Sequence, residues 1–468
     1  MPPAHDREQE AKLNLAEKLR QVLGAEAVSD EAAELQAHGG DKWFASHQPD
    51  VVVFAKSTEQ VSQLLRFAAR EKIPVTARGA GYGYVGGCVP VRGGISLSLA
   101  RMNRIREISF EDAVAIVEPG VITADLQAKV KAQQLFYPPD PASKKDCSIG
   151  GNVATNAGGP RCLKYGVTRN YVVGLEVVLA SGEILRLGGS VHKNKTGFNL
   201  IGLFVGSEGM LGVVTEITLR LLPLPPARAT LSAAFTSMKE AAATVQAIFH
   251  AGFLPASLEI ADYFTLEAAR RDHGEGHVPA GNAHLLVEVD GQAETVRSEA
   301  AALGKLIAGR NPNSLTTATT EEECENLWQL RRDFSNSLRA TGLTKLNQDI
   351  VVPRSRLVDL VEFAETLQQR HGFPVACFGH AGDGNVHVNI MAADYDDPAV
   401  QRKVEGALDD LFEQVLAWGG VITGEHGIGL AKKRWWPEAT SDVARDVHRA
   451  IKDALDPAGI LNPGKFLE

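Results

Sequence analysis

Residues 78–87 read Arg78-Gly-Ala-Gly-Tyr-Gly-Tyr-Val-Gly-Gly87 and directly follow a predicted strand at residues 74–77. Glycines let a backbone approach an anion closely and present its N–H groups to that anion. Three of these glycines spell GxGxxG, but a Rossmann fingerprint must open a helix, and the Pro- and Gly-containing residues 87–94 cannot form one. Taken alone, the segment is equally compatible with an anion-binding loop and with a tight structural turn.

Two further segments are also small, polar and rich in glycine. They are Ser148-Ile-Gly-Gly-Asn-Val-Ala-Thr-Asn-Ala-Gly-Gly159 and Gly206-Ser-Glu-Gly-Met-Leu-Gly-Val-Val-Thr215. Residues 150–159 are predicted to be a loop, because glycine and asparagine disfavour regular structure. Three such segments ahead of one domain boundary are hard to explain as independent turns. We expect them to line a long, narrow groove for an extended dinucleotide.

The order of predicted elements indicates an α+β protein with a boundary near the Pro-rich residues 222–227. Before that boundary, a strand at 51–54, a capped helix from Ser57 and a strand at 74–77 form a strand–helix–strand unit. After it, helices at 238–251, 293–308 and 357–371 alternate with strands at 284–289, 375–379 and 386–390. We predict domains at 1–225 and 226–429 and a C-terminal segment at 430–468.

Charge and cysteine content exclude several classes of protein. The net charge of −9 disfavours nucleic-acid binding, and the basic run Lys432-Lys433-Arg434 is predicted to be a solvated helix face. Five scattered cysteines with no CxxC spacing indicate neither a disulfide framework nor a metal–sulfur site and favour a cytoplasmic location. Neither a signal peptide nor a membrane span is expected, so any attachment to the inner membrane would be peripheral.

A second group of polar residues lies beyond the boundary. Gly379-His-Ala-Gly-Asp-Gly-Asn-Val-His-Val-Asn389 contains two histidines around Asp383-Gly384, a strong hairpin signal that would bring His380 alongside His387. Gly424-Glu-His-Gly-Ile-Gly429 adds a Glu-His pair between glycines. Two imidazoles and one carboxylate suit Zn²⁺ or Mn²⁺ and leave positions open for substrate. The alternative is that the histidines are buried strand residues with ordinary hydrogen bonds.

A carboxylate-bearing substrate would need a cation, best a bidentate arginine. Arg331 lies in a predicted helix, Leu327-Trp-Gln-Leu-Arg-Arg-Asp333, where the alternative for any arginine is a solvent-exposed side chain.

The order P-V-T-x-R-G-x-G, S-I-G-G-N-x-A-T-N-A-G-G and G-S-E-G-x-L-G-V-V-T resembles the FAD-binding domain of the vanillyl-alcohol-oxidase superfamily. Within it, the chain is similar to the branch of D-lactate dehydrogenase, the glycolate oxidase large subunit and D-2-hydroxyglutarate dehydrogenase, from about residue 45 to residue 468. The resemblance implies a two-subdomain FAD-binding domain plus an α+β cap domain with an antiparallel sheet. It also implies FAD contacts from Arg78, Gly79, Ala80, Gly81, Tyr82, Gly83, Gly86, Pro119, Gly120, Ser148, Gly150, Gly151, Asn152, Ala157, Gly158, Gly206, Glu208, Gly212, Val213 and Asn462, with Lys465 in the same tail.

The resemblance implies roles for the second group as well. His380, His387 and Glu425 match metal ligands, His426 matches the catalytic base, and Arg331 and Asn389 match substrate contacts. A lysine near Lys345 contacts substrate in the hydroxyglutarate members, although the spacing here differs. Some superfamily members attach flavin through a histidine in the first loop, which here reads Gly-Tyr-Gly-Tyr, so we expect non-covalent FAD.

The expected activity is metal-assisted hydride transfer from a small D-2-hydroxy acid, of the D-lactate or glycolate class, to flavin. The alternatives are D-2-hydroxyglutarate dehydrogenase, a metal-independent flavin alcohol oxidase, a flavin-free metal-dependent hydrolase and a non-catalytic subunit. The expected partners are the hydroxy acid and an electron acceptor, such as a quinone, a cytochrome or electron-transfer flavoprotein. A homodimer is a candidate assembly.

Overall fold

The computed structural model describes residues 4–467 of the chain, with side chains described from residue 14 onward. The helices are α1 Ala4–Leu23, α2 Ala32–Ala37, α3 Thr58–Glu71, α4 Thr123–Lys131, α5 Ile149–Thr155, α6 Cys162–Tyr165, α7 Leu200–Phe204, α8 Met238–His250, α9 Tyr263–His273, α10 Ala293–Ala308, α11 Glu321–Ala340, α12 Leu357–His371, α13 Pro398–Ala417, α14 Trp436–Ala439 and α15 Asp442–Leu455. The strands are β1 Val28–Ser29, β2 Val51–Phe54, β3 Val75–Arg78, β4 Ile95–Ser98, β5 Ile105–Ser109, β6 Val114–Val117, β7 Leu135–Phe136, β8 Val172–Val178, β9 Ile184–Gly188, β10 Val213–Arg220, β11 Leu222–Pro223, β12 Ala227–Phe235, β13 Ser257–Ala261, β14 Ala283–Gly291, β15 Ser314–Ala318, β16 Thr344–Val351, β17 Val375–His380 and β18 Asn385–Ala392.

The chain forms two compact units, and neither is one continuous stretch. The first contains residues up to 157, residues 167–224 and residues from 425 onward; the second contains residues 158–166 and 225–424. This division differs from the expected 1–225, 226–429 and 430–468 at residues 158–166, at Pro225 and at residues 425–429. Residues 158–166 group with the second unit because Lys164 donates to Asp290 Oδ1 at 2.5 Å. Residues 425–429 group with the first unit through hydrogen bonds to Glu208.

The first unit holds two main sheets, as a two-subdomain FAD-binding domain requires. One has the order β1-β2-β4-β3, in which β2 and β3 both run parallel to β4. The other is antiparallel with the order β5-β6-β10-β8-β9. Helix α3 connects β2 to β3 and begins as predicted, since Ser57 Oγ accepts the Gln60 N–H. Its apolar residues at helical spacing are fully buried: Val61, Leu64, Leu65 and Ala68.

The predicted loop at residues 150–159 is wrong, because most of it is helix α5. Ser148 caps this helix, with its Oγ 3.3 Å from the Gly151 nitrogen, and Asn156 ends it in a left-handed conformation. Ile149 and Val153 are fully buried on it. Capping and burial therefore outweigh the low helix propensity of its two glycines.

The basic run at residues 432–434 is not the solvated helix face that we predicted. Lys432 is only 1% exposed, and the following residues Lys433–Trp435 form a single 3₁₀ turn. A buried ammonium requires nearby negative charge. Glu208 supplies it, since Lys432 is one of the cations that act on the Glu208 carboxyl group.

The second unit is built on a seven-stranded sheet of order β15-β12-β14-β13-β17-β18-β16, in which every neighbouring pair is antiparallel. The predicted cap domain with an antiparallel sheet is confirmed. So is the hairpin at Asp383-Gly384, which joins β17 to β18. Among residues 4–467, none of the helices has the length and apolar character needed to cross a membrane.

Candidate functional site

The predicted flavin-binding segments lie side by side in the first unit. A Cβ built on Gly79 would lie 2.4 Å from Ser148 Oγ, so only glycine lets the first segment approach the second this closely. The Gly150 N–H donates to Pro119 O at 2.8 Å, and the Gly206 N–H donates to Val153 O at 2.9 Å. Segments that are far apart in the sequence therefore lie directly against one another.

The first glycine-rich loop has the backbone conformation that an anion cradle needs. Gly81 has φ +72°, and a Cβ there would lie 2.1 Å from Nη2 of Arg78. The Arg78 guanidinium is folded beneath its own loop, where Nη1 donates to Gly40 O at 2.5 Å and lies 3.2 Å from Cys88 Sγ. Its position stabilises the loop and places a fixed positive charge next to it.

The C-terminal tail returns to these segments. Asn462 Nδ2 donates to Gly87 O at 2.9 Å and to Glu208 O at 2.7 Å, while Lys465 Nζ donates to Val89 O at 2.7 Å. The Asn462 N–H also donates to Val75 O at 2.8 Å, so the tail extends the edge of the first sheet at β3. Among the predicted flavin-binding residues, only Gly158 falls in the second unit.

Glu208 holds the segment that contains the Glu-His pair. Its two carboxylate oxygens accept the N–H groups of Ile428 at 2.7 Å and Gly429 at 2.8 Å. Burial raises the pKa of the Glu208 carboxyl, and these two hydrogen bonds and nearby Lys465 act against that increase. The side chain is thus committed to positioning residues 425–429, which the sequence did not indicate.

His426 lies against the first glycine-rich loop. Its ring stacks on the Tyr84 ring with centroids 5.3 Å apart and an interplanar angle of 28°. Its Nε2 is 3.9 Å from Oε1 of the adjacent Glu425, and the side chain is 16% exposed. Tyr84 has no obvious role in the sequence, yet it fixes the predicted base beside the predicted pyrophosphate loop.

The two histidines of the hairpin lie close together in the second unit. His380 pairs with Asn385, and His387 pairs with Phe378 across the ladder, so the two imidazoles are diagonal neighbours on one face. Their ring centroids are 5.5 Å apart at an interplanar angle of 78°. That separation lets one nitrogen from each ring reach a single ion with bonds of about 2.0–2.1 Å.

Glu259, which no sequence motif marked, bridges two of the predicted residues. Its Oε1 lies 2.6 Å from His380 Nδ1, and its Oε2 accepts a hydrogen bond from Arg331 Nε at 2.5 Å. Burial would raise the pKa of Glu259, but Arg331 and His380 hold the pKa below its ordinary value. The sequence signal that could have identified Glu259 is its carboxylate between the apolar strand residues Leu258 and Ile260.

Arg331 and Lys345 converge on the ring of Phe378. The Arg331 guanidinium carbon is 5.0 Å and the Lys345 nitrogen 5.6 Å from the ring centroid. Arg331 is 7% exposed, and Lys345 Nζ donates to Ser335 Oγ at 2.6 Å. Burial, reinforced by Arg339 and Arg331, lowers the pKa of Lys345 to about 7. This cluster can bind an anion.

Asn389 is fully buried on the same strand as His387. Its Nδ2 donates to Ala376 O at 3.0 Å and to His387 O at 3.1 Å. Within the described part of the chain, its Oδ1 has no hydrogen-bond partner. A buried amide oxygen of this kind is costly unless a ligand or water donates to it.

The chain reaches Glu425 through a segment fixed to the second unit. Asp349, which pairs with His387, accepts a hydrogen bond from the Gly424 N–H at 3.0 Å through Oδ2. A Cβ on Gly424 would lie 2.4 Å from Nδ2 of Asn385, the partner of His380 in the ladder. Glu425 is the next residue after Gly424, and their Cα atoms are about 3.8 Å apart, the fixed spacing across a trans peptide.

Comparison with known proteins gives matches over nearly the whole chain. Residues 49–188 match the model of an FAD binding domain, and residues 224–466 match the C-terminal domain of FAD linked oxidases. Glycolate oxidase subunit GlcD of Bacillus subtilis is 39% identical over 454 residues, covering 97% of this chain and 96% of that protein. D-lactate dehydrogenase of Anaerostipes hadrus is 33% identical over 463 residues, covering 97% of each chain.

Solved structures share the fold at lower identity. A p-cresol methylhydroxylase structure with bound substrate superposes with a TM-score of 0.77 at 20% identity, covering 98% of this chain and 97% of that one.

Proposed function

We propose that this chain, which belongs to the FAD-linked oxidase family, oxidises a small D-2-hydroxy acid of the D-lactate or glycolate class to the corresponding 2-oxo acid. The family includes glycolate oxidases, D-lactate dehydrogenases and D-2-hydroxyglutarate dehydrogenases, so the chain is an FAD-dependent oxidoreductase. The observation that carries the proposal is the stack of His426 on Tyr84. It joins a base to the loop that the resemblance assigns to the flavin pyrophosphate.

The glycine cradle fits an FAD that is bound without a covalent link. Close backbone approach at Gly79 and the positive φ of Gly81 are conformations that glycine permits and that allow a backbone to approach a diphosphate. Cys88 directly follows the loop, and its Sγ lies 3.2 Å from Arg78 Nη1. Burial raises its pKa to about 11, so it remains a thiol and is a poor nucleophile.

The donor set also fits a divalent cation held by His380, His387 and Glu425. The hydrogen bond of His380 Nδ1 to Glu259 leaves Nε2 as the nitrogen for a metal, the arrangement that metal-binding histidines commonly show. Two imidazoles and a carboxylate suit Zn²⁺ or Mn²⁺. The unpartnered Oδ1 of Asn389 can accept a hydrogen bond from a water that enters with the substrate, and Asn389 remains a proposed substrate contact.

Each residue of the proposed site has a separate role in the reaction. When bound, the metal lowers the pKa of the substrate hydroxyl and the flavin accepts the hydride. Arg331 binds the substrate carboxylate through the guanidinium nitrogens that Glu259 leaves available. His426 removes the hydroxyl proton with an imidazole nitrogen. Arg331 thereby fixes which carbon faces the flavin, and an external acceptor such as a quinone, a cytochrome or electron-transfer flavoprotein reoxidises the flavin.

Anaerobic reduction of the flavin tests this proposal directly. We expect purified protein to be yellow and its visible flavin absorbance to bleach when D-lactate or glycolate is added without oxygen. L-lactate should bleach it much more slowly, and a 2-oxo acid should appear in equal amount. Protein that holds FAD but keeps its colour with every 2-hydroxy acid tried would rule the proposal out.

A dicarboxylate such as D-2-hydroxyglutarate is the second candidate substrate, and Lys345 is the observation that favours it. Its ammonium lies at the Phe378 ring with Arg331, which gives two cations for two carboxylates. The proposal of a single-carboxylate substrate gives Lys345 no carboxylate of the substrate to bind. The pH dependence of binding separates the two candidates.

Because the pKa of Lys345 is about 7, its charge falls as pH rises from 6 to 8. If Lys345 binds a second carboxylate, KM for D-2-hydroxyglutarate should rise about tenfold over that range, following the protonated fraction. KM for glycolate should change less. Lys345→Met should have a high KM for the dicarboxylate at pH 6 and lose the pH dependence. An unchanged profile in this variant would remove Lys345 from the site.

A further inference from the structure

We propose that Glu259 is a positioning residue, which sets the geometry of the metal ligand His380 and of the substrate anchor Arg331 at the same time. The inference rests on the proposed function of these two residues. It adds that they are not independent, because one buried carboxylate contacts both.

The sheet register brings the three groups together. Glu259 on β13 pairs directly with His380 on β17, so the two side chains emerge on the same face of the sheet. Arg331 approaches from helix α11 and donates Nε to Oε2, while His380 Nδ1 lies at Oε1. Each carboxylate oxygen has one of the two partners, and the side chain is 1% exposed.

A carboxylate at this position has a specific electrostatic effect. For Glu259 to accept a hydrogen bond from His380, the imidazole proton must lie on Nδ1. The Nε2 lone pair is then available for an ion, and the orientation of the ring is fixed. Arg331 donates through Nε, on the side edge of the guanidinium that Nε shares with one Nη group. The end edge, formed by the two Nη groups, stays available for a bidentate contact with a substrate carboxylate.

The length of the side chain matters as well as its charge. The two oxygens contact groups from different elements, a strand and a helix, so a shortened carboxylate can keep only one contact at full strength. A neutral amide of the same length can accept from His380 with its oxygen, but its NH₂ group would then face the Arg331 donor. Metal binding and substrate binding should therefore both weaken in Glu259→Gln.

The first measurement is made without turnover. Metal-free apoprotein is titrated with Zn²⁺ alone in competition with a chromophoric chelator. We expect Glu259→Gln to bind Zn²⁺ about 10–100-fold more weakly than the parent, the usual effect of losing the outer partner of a ligating histidine. FAD content should be unchanged, since Glu259 lies in the unit that does not contain the glycine cradle.

The second measurement separates binding from chemistry. With saturating Zn²⁺, Glu259→Gln should raise KM for the 2-hydroxy acid about tenfold or more because Arg331 is no longer held. Glu259→Asp should restore Zn²⁺ affinity or KM in part, since it keeps the charge and one of the two contacts.

Glu288 provides a matched control on the adjacent strand β14. It is also 1% exposed and accepts hydrogen bonds from Arg161, Arg228, Thr230 and Trp328. It contacts neither His380 nor Arg331 through any of these bonds. Glu288→Gln should lower thermal stability while leaving Zn²⁺ affinity and KM at the parent values.

The outcomes distinguish a failure of the positioning role of Glu259 from a failure of the proposed function. If Glu259→Gln folds, binds FAD and has parent Zn²⁺ affinity and parent KM, Glu259 has no positioning role. If it fails to fold, Glu259→Asp decides by the same two readouts, and parent values in that variant overturn the role. A parent protein that neither binds Zn²⁺ nor bleaches with any 2-hydroxy acid contradicts the proposed function itself.

Discussion

Replacing His426 by alanine is expected to slow reduction of the flavin by about 10²–10⁴-fold, the contribution of a positioned general base. His426 stacks on Tyr84, and Glu208 holds the backbone of residues 428 and 429 that follow it. The imidazole is therefore fixed in place before any substrate arrives. Removing it leaves the alcohol proton without an acceptor while the cradle for FAD stays intact.

The measurement is single-turnover, anaerobic stopped-flow bleaching of the flavin with a saturating 2-hydroxy acid. FAD content, taken from absorbance, should equal that of the parent. His448→Ala is the matched control, since His448 lies exposed on α15 of the same unit, where its Nδ1 is hydrogen-bonded to the Ala444 carbonyl and its ring contacts that of Trp436. Parent-rate bleaching in His426→Ala would mean that another group removes the proton.

Replacing His387 by alanine is expected to remove the bound cation and to lower the flavin reduction rate about 100-fold or more. A Lewis acid contributes several kcal/mol, and each 1.36 kcal/mol corresponds to a factor of ten in rate. His387 is 7% exposed, and its ring centroid lies 5.5 Å from that of His380. Without His387, the proposed ligand set keeps a single histidine, His380. The remaining ligands cannot hold Zn²⁺ or Mn²⁺ with comparable affinity.

Metal analysis by atomic emission and flavin reduction should be measured on the same samples. Chelator treatment of the parent should reproduce the loss, and returning Zn²⁺ or Mn²⁺ should restore the parent but not His387→Ala. His371→Ala serves as the control, because His371 lies in the same unit and pairs with Asp410 instead. Retained activity in metal-free parent protein would favour a metal-independent flavin oxidase.

The elements that the sequence predicted well are those whose determinants are local. The hairpin at Asp383-Gly384 follows from two residues, and helix α10 has the predicted bounds because its apolar residues repeat at helical spacing. Helix α5 was missed because its glycines argue against a helix, whereas the cap at Ser148 and the burial of Ile149 favour one. Burial depends on the rest of the fold and is not readable in a short window.

The residues of the candidate site also differ in whether the local sequence could identify them. His380, His387 and Arg331 could be named from short motifs, since each motif carries its own chemical signal. Glu259 could not, because its contact with His380 spans 121 residues and depends on the pairing of β13 with β17. Lys432 was misjudged for a related reason: its charge predicted a solvated position, but the carboxylate that compensates it lies more than 200 residues away in the chain.

The tail that pairs beside β3 has a consequence for synthesis on the ribosome. The first unit needs Asn462 and Lys465 to complete its edge, and these residues are translated after the whole of the second unit. At about 5–20 residues per second, the stretch from residue 224 to residue 425 takes about 10–40 s to translate. During that interval the N-terminal glycine loops lack the contacts of the tail, so we expect stable capture of FAD only after Asn462 and Lys465 have been translated.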